Sequence, residues 1–279
     1  MKKLFLLLGA LFVSFGASAA PVVLSDESLD DGFSSPTVEE PAVVNQNNGY
    51  AEERIKPASK NVLSNDTSDP LFLVRDNQFL SDTYIAYKDS TLRAGQYVAY
   101  GINDNLSMHV NMHYQVDFTH NHENGFSATE FGGTYRMNHG NNNWHIISDA
   151  LFGLKLWGST HVRTPEYADS SYYAGFRFGR QYIGLTLAGT IKSTWVFDDE
   201  RGLSYIDLMP EAYFRFQYDW RGGLGLDVRR STNIHLMPDQ EWLNLKLLRQ
   251  FGNTQYVGRF DYEFEFHEVQ VGFDVKILF

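Results

Sequence analysis

The stretch Val269-Gln-Val-Gly-Phe-Asp-Val-Lys-Ile-Leu-Phe279, the last eleven residues, decides the fold. Val269, Val271, Phe273, Val275, Ile277 and Phe279 fall on one face, and Gln270, Gly272, Asp274, Lys276 and Leu278 on the other. That period of two is a β-strand with one apolar and one mostly polar face. A half-buried edge strand of a soluble sheet has the same alternation, so the rest of the chain must choose between them.

Working outward, the pattern recurs. Leu106 to Phe118 puts Leu106, Met108, Val110, Met112, Tyr114, Val116 and Phe118 on one side and Ser107, His109, Asn111, His113, Gln115 and Asp117 on the other. A soluble sandwich would bury the apolar set, whereas a membrane barrel turns it to lipid and keeps the polar set in the lumen. Similar segments span 79–88, 92–100, 127–137, 144–157, 172–178, 183–197, 206–218, 224–234, 243–248 and 256–266. With the last strand they make about twelve, an even number as single-chain bacterial barrels prefer, with ten as the alternative. Turn-rich connections at 101–105, 138–143, 179–181, 219–223 and 251–254 alternate with generally longer, more charged ones at 119–126, 158–170, 198–202 and 235–240. Tyr100, Trp144, Tyr182, Tyr218, Trp220 and Tyr256 gather at the first set of ends, and Phe118, Trp157, Tyr172, Trp195, Phe197 and Phe266 at the second. These are two aromatic girdles.

The C-terminal strand resembles that of Gram-negative outer-membrane β-barrels, porin-like proteins in which a terminal Phe preceded by apolar residues at every second position serves as an assembly signal. The resemblance implies an all-β, transmembrane, antiparallel up-and-down barrel over residues 71–279. It also implies outer-membrane lipid as the surroundings, insertion by the barrel-assembly machinery, and Val271, Phe273, Val275, Ile277 and Phe279 as the signal. If the chain ends in the periplasm, the first set of connections is periplasmic and the second extracellular.

Composition agrees. Aromatics make up 15% of the 279 residues, cysteine is absent, and the mean hydropathy of -0.33 excludes a protein of many membrane helices while suiting strands that show lipid only alternate residues. An exported chain without cysteine has no disulfide framework. Met1 to Ala19 reads as a secretory signal: Lys2 and Lys3, an apolar run from Leu4 to Val13, and Ala17-Ser18-Ala19 as the cleavage site. Its removal takes the formal charge from -11 to -13. Residues 20–70 carry ten acidic and three basic side chains, few aromatics and no sustained period, as expected of a disordered acidic periplasmic tail. The tail could also recruit a periplasmic partner or enter the barrel as a plug. Leu71 to Phe79 is an apolar lead-in.

The inward parity assigns to the lumen His109, His113, Asp117, Glu130, Arg136, Asp149, Lys155, Arg177, Lys192, Asp207, Glu211, Arg215, Asp227, Arg229, Lys246, Arg259, Asp261 and Glu263, with Glu265, Asp274 and Lys276. Charges of both signs are interleaved, ten acidic to nine basic, so they either line a narrow water-filled passage or pair into a network that closes it. No loop is long enough for a folded-in constriction, which leaves selection to the wall. The expected function is a narrow channel for small hydrophilic or amphiphilic solutes. The alternatives are a closed barrel whose outer loops bind or anchor something and, third, a lipid-modifying enzyme or protease. Pairing of Arg177, Arg215, Arg229 and Arg259 with inward acids separates the first two.

Enzyme signatures are weak, and no catalytic residue, metal or cofactor is assigned. His109-Val-Asn-Met-His113 lacks the Glu of a zinc-protease helix and lies on a strand, where four residues set the rings about 13 Å apart. His109 or His113 with Asp117, Asp149 and His145, or loop residues His120, His122, Glu123, His161, Glu166, His235 and Asp239, read more simply as polar lumen and loop positions. Phosphate loops, dinucleotide fingerprints and basic nucleic-acid patches are absent.

Overall fold

The computed structural model describes residues 66–119, 124–141, 143–156, 158, 169–197, 203–216, 219–235 and 237–279. The signal sequence, tail residues 20–65, Trp157, Tyr218 and the loop residues His120, His122, Glu123, His161 and Glu166 lie outside these.

Every predicted segment forms a strand. In chain order they are β1 (Phe79–Lys88), β2 (Thr91–Asn103), β3 (Leu106–Asp117), a two-residue β4 (Gly125–Phe126), β5 (Thr129–His139), β6 (Ile147–Leu156) and β7 (Ser171–Gln181). They continue with β8 (Leu185–Val196), β9 (Ser204–Arg215), β10 (Trp220–Ser231), β11 (Gln240–Phe251), β12 (Thr254–Glu263) and β13 (Val269–Leu278). Each long strand pairs antiparallel with its sequence neighbour, and β13 returns to β1, so twelve strands close a barrel and β4 is a small addition beside β3. Closure satisfies the backbone without leaving an edge, as a barrel spanning lipid requires. The seam extends to the last residue: Phe279 and Phe79 exchange backbone hydrogen bonds at 2.8 and 3.1 Å.

The outer face is greasy. Ile85, Met112, Phe131, Phe152, Phe176, Ile191, Leu208, Leu226 and Leu247 are all exposed, the reverse of a soluble sandwich. Trp144, Trp220 and Tyr256 are exposed at one end and Phe118, Tyr172, Trp195 and Phe266 at the other, in the two expected bands. Where β1 and β2 interrupt the belt with polar groups, those groups satisfy one another. Thr83 Oγ1 donates to Gln96 Oε1 at 2.7 Å, and Gln96 Nε2 donates to Ser81 Oγ at 2.8 Å.

Residues 179–181 and 220–223, read as turns, are the end of β7 and the start of β10, and β11 runs longer than 243–248; three further differences bear on the interior. Strand β12 stops at Glu263, so Glu265 sits exposed in the turn rather than on the inner wall. The turn after β1 is only Asp89-Ser90, both at positive φ, a tight connection at the end that otherwise carries the longer ones. The third concerns the tail: Asp66 to Pro70, acidic and aperiodic, are not outside the barrel but within it.

Candidate functional site: a lumen with a separable floor

Residues 66–77 enter the lumen at the end where β1 begins and β13 finishes, called here the near end. Two successive turns start the segment, with Asp69 N donating to Asp66 O at 3.1 Å and Phe72 N to Asp69 O at 2.9 Å. Asp69 Oδ1 also accepts from Leu71 N at 2.8 Å, a local side-chain to backbone bond typical of Asp in turns. Leu71 and Leu73 are buried, and Val74 packs with Leu80, Ala99 and Leu278 in an apolar cluster flanked by Phe72 and Tyr97. The segment then turns back through Asn77, at φ 58°, into β1. It passes so close to β2 at Gly101 that a Cβ there would overlap the carbonyl of Arg75.

Polar groups of the wall hold this floor. Asp66 Oδ1 accepts from Tyr213 Oη at 2.6 Å and from Gln255 Nε2 at 3.0 Å, while Oδ2 lies 3.4 Å from Arg215 Nε and 3.5 Å from Arg221 Nε. Gln255 Oε1 accepts from the hydroxyls of Thr67 and Ser68, each at 2.7 Å. Asp69 Oδ2 pairs with Arg215 and accepts from Thr186 Oγ1 at 2.6 Å. Burial pushes the Asp69 carboxyl above the ordinary carboxylate range, and the Arg215 guanidinium draws it back. Two further arginines grip the backbone: Arg136 donates to Leu71 O at 2.6 Å and Arg177 to Phe72 O at 3.2 Å. Both are aligned by Asp149, which has no exposed surface and accepts from Arg136 Nε at 2.7 Å and Arg177 Nε at 2.8 Å. A buried carboxylate this well satisfied is a fixed part of the wall.

Beyond the floor lies a cavity of about 540 Å³. Its boundary includes Thr67, Asp69, Leu73 and Val74 of the segment and, on the wall, Tyr84, Arg93, His113, Glu130, Lys155, Lys246, Arg259, Asp274 and Lys276. Here the charges pair from wall to wall: Arg259 with Asp274 at 2.7 Å, Lys246 with Glu211 at 2.8 Å, Lys276 with Asp82 at 3.7 Å, and His109 with Glu130 at 3.2 Å. Glycines keep the space open. Tyr84 lies across Gly95 and Tyr173 across Gly132 and Gly153, where any Cβ would strike the rings. Tyr173 Oη reaches Glu130 at 2.8 Å, so the ring lies along the wall. On the β8 to β10 side the interior is filled: Asp207 accepts from Arg229 Nε at 2.6 Å and lies 3.4 Å from Lys192, while Tyr205 packs with Leu203 and Met237.

Most sequence-assigned lumen residues thus meet in one connected interior, and Arg177, Arg215, Arg229 and Arg259 each have an acidic partner. Asp227 stays partly buried on the same parity, and Asp261 accepts from Gln270 at 3.2 Å. Two residues serve loops instead: Asp117 accepts from Thr119 N and Oγ1, and Glu263, fully buried, accepts from Phe266 N and Glu241 N. The combination of His109 or His113 with Asp117, Asp149 and His145 does not assemble, because Asp117 and Asp149 are held as described and His145 faces Gly140 O in a near-end turn. Ser127 Oγ lies 3.2 Å from His113 Nδ1, but the hydroxyl also accepts from His113 N and the residue is buried, so the pair ties β4 to β3.

Sequence reasoning missed Thr186, Tyr213, Arg221 and Gln255 as the floor's holders. Their signal was indirect: Leu80, Ala99, Leu248, Val257 and Leu278 put buried apolar groups on the inward parity at the near end, where a water-filled wall would not.

No protein-family model matches the chain, and no curated protein matches it in sequence. Solved structures do match in fold. The KdgM porin, in complex with disordered oligogalacturonate, is 12% identical with a TM-score of 0.54 over 71% of this chain and 98% of its own. An outer-membrane channel from Pseudomonas putida F1 is 7% identical with a TM-score of 0.56, over 75% and 98%, and the NanC porin is 8% identical with 0.55, over 71% and 98%. At such identities the likeness is one of fold: this chain folds as a closed twelve-strand antiparallel barrel, as theirs do.

Proposed function

We propose that the protein is an outer-membrane channel for small hydrophilic or amphiphilic solutes, at rest in a state closed by residues 66–77. The carrying observation is that the obstruction at the near end comes from residues 66–77, outside the long strands, whose carboxylates pair with the wall and whose end bonds to β2 through Asn77 N and Gly101 O at 3.1 Å. The cavity behind it supports the same reading. The exposed apolar belt and girdles suit a bilayer, and the mostly short connections at the near end suit its periplasmic side. In this reading residues 1–19 are removed on export. The outward face of Val271, Phe273, Val275, Ile277 and Phe279 is read by the assembly machinery.

Planar-bilayer recording of the refolded mature chain beside Asp66→Asn/Asp69→Asn tests it. The expected result is a parent that opens rarely and a variant with frequent discrete steps. A variant that folds to the heat-resistant barrel and stays silent overturns the channel. It would then favour a permanently closed barrel, the reading to which full pairing of the four arginines lends weight.

A further inference from the structure

The floor's binding pocket on the wall is itself a recognition site. Asp66 and Asp69 stand three residues apart in one tight turn, so the wall presents convergent donors to two carboxylates at once: Tyr213 Oη, Gln255 Nε2, Thr186 Oγ1 and the guanidinium groups of Arg215 and Arg221. The acids described beside Arg215 and Arg221 both belong to the segment. Asp149, by contrast, is a wall residue, so its pairs with Arg136 and Arg177 need no group from the segment. When the segment leaves, two poorly solvated guanidiniums lose their counter-charges, and an uncompensated buried cation is costly. A planar guanidinium matched to a carboxylate regains that interaction.

We propose that this pocket binds small solutes carrying two or more carboxylates, and that such a solute competes with Asp66 and Asp69 and so releases the floor. The proposal rests on the reading above that residues 66–77 can leave the lumen. A ligand that takes only the segment-free state shifts the population toward it by its differential affinity. The solute arriving from the cavity side meets these donors as soon as the segment frays, and the vacated mouth then favours anions.

Because the chain contains no cysteine, a single thiol reports the floor directly. Ser68 is buried against Gln255. Ser68→Cys in the refolded full mature chain should therefore react slowly with a bulky maleimide, and Thr67→Cys is the second reporter if that variant does not refold. Millimolar succinate is expected to speed labelling by about five-fold or more, the lower range of coupling between linked sites, and sodium chloride at matched ionic strength is not. Equal rates in succinate and chloride overturn the proposal, since screening alone then explains any release. Labelling is read without conductance. A silent Asp66→Asn/Asp69→Asn bilayer with succinate-dependent labelling would remove the channel and keep the pocket. A conducting variant with succinate-independent labelling would do the opposite.

Discussion

The floor and the cavity of this lumen use the same residue types to different ends. In the cavity, acid and base both belong to the wall, as in Arg259 with Asp274 and Lys246 with Glu211, so the pairs lie along the barrel surface and leave the middle open. At the floor the bases belong to the wall and the acids to residues 66–69, so each pair reaches inward and draws chain into the bore. What decides between lining and plugging is which segment supplies the second charge. Along the strands the cavity's charges come near balance, whereas at the floor Arg136, Arg177, Arg215 and Arg221 outnumber the wall acid Asp149, and Asp66 and Asp69 of the segment make up the difference.

The strongest way to break this contrast is at Arg215, among the described residues the one guanidinium that touches both floor carboxylates. Arg215→Ala leaves two buried acids to Arg221 and neutral donors, and stripping one partner from a buried pair costs about 3–5 kcal/mol. That penalty falls on docking of the segment, because the strand hydrogen bonds of β9 to β8 and β10 are backbone bonds. The expected outcome is a barrel with unchanged far-ultraviolet circular dichroism and heat-resistant migration, but with fast thiol labelling at Ser68→Cys. Slow labelling in Arg215→Ala would mean that the apolar cluster around Val74 and the remaining donors, Arg136, Arg177, Tyr213 and Gln255 among them, hold the floor without it.

A middle-sized effect should come from the cavity alone. Gly95 exists as glycine because Tyr84 lies over it, with its hydroxyl 3.2 Å from Asn111 Oδ1. In Gly95→Ala the new methyl forces the ring off the wall and into the cavity, an overpacking that costs about 1–3 kcal/mol where it cannot be relieved. In the conducting Asp66→Asn/Asp69→Asn background this should lower the unitary step without changing thiol labelling. An unchanged step would place the narrowest point elsewhere.

Much of the fold was legible because the inward and outward parities are set by physics that acts two residues at a time. Lipid favours apolar groups at outward positions, as at Met108, Met112 and Tyr114, and the lumen permits polar ones between them. Strand ends followed from turn residues only to within a few positions, although β1 falls at 79–88 as expected. Segment 66–70 was not legible by this means. It is short, polar and without a period, and its partners Thr186, Arg215 and Gln255 lie more than a hundred residues away. Composition therefore reads it as solvated tail, although burial and repeated hydrogen bonding of its carboxylates can order such a stretch. Leu278 carries the clearest trace, an apolar residue among Gln270, Asp274 and Lys276 on the inward face, and it is there that Val74 packs.

The smallest expected effect sharpens the contrast. Glu211 and Lys246 form a wall pair with partly exposed side chains, 20% and 30% accessible, and a solvated pair of this kind is worth at most about 1 kcal/mol. Glu211→Ala should thus leave barrel stability and Ser68→Cys labelling near the parent's. What it changes is the field: Lys246 then faces the cavity without its acid, beside Arg259 and Lys276. In the conducting background the reversal potential across a potassium chloride gradient should move toward that of chloride, and more so at low salt, where the charge is felt over a longer distance. A reversal potential that does not move would show that the cavity beside Lys246 is not on the ions' path.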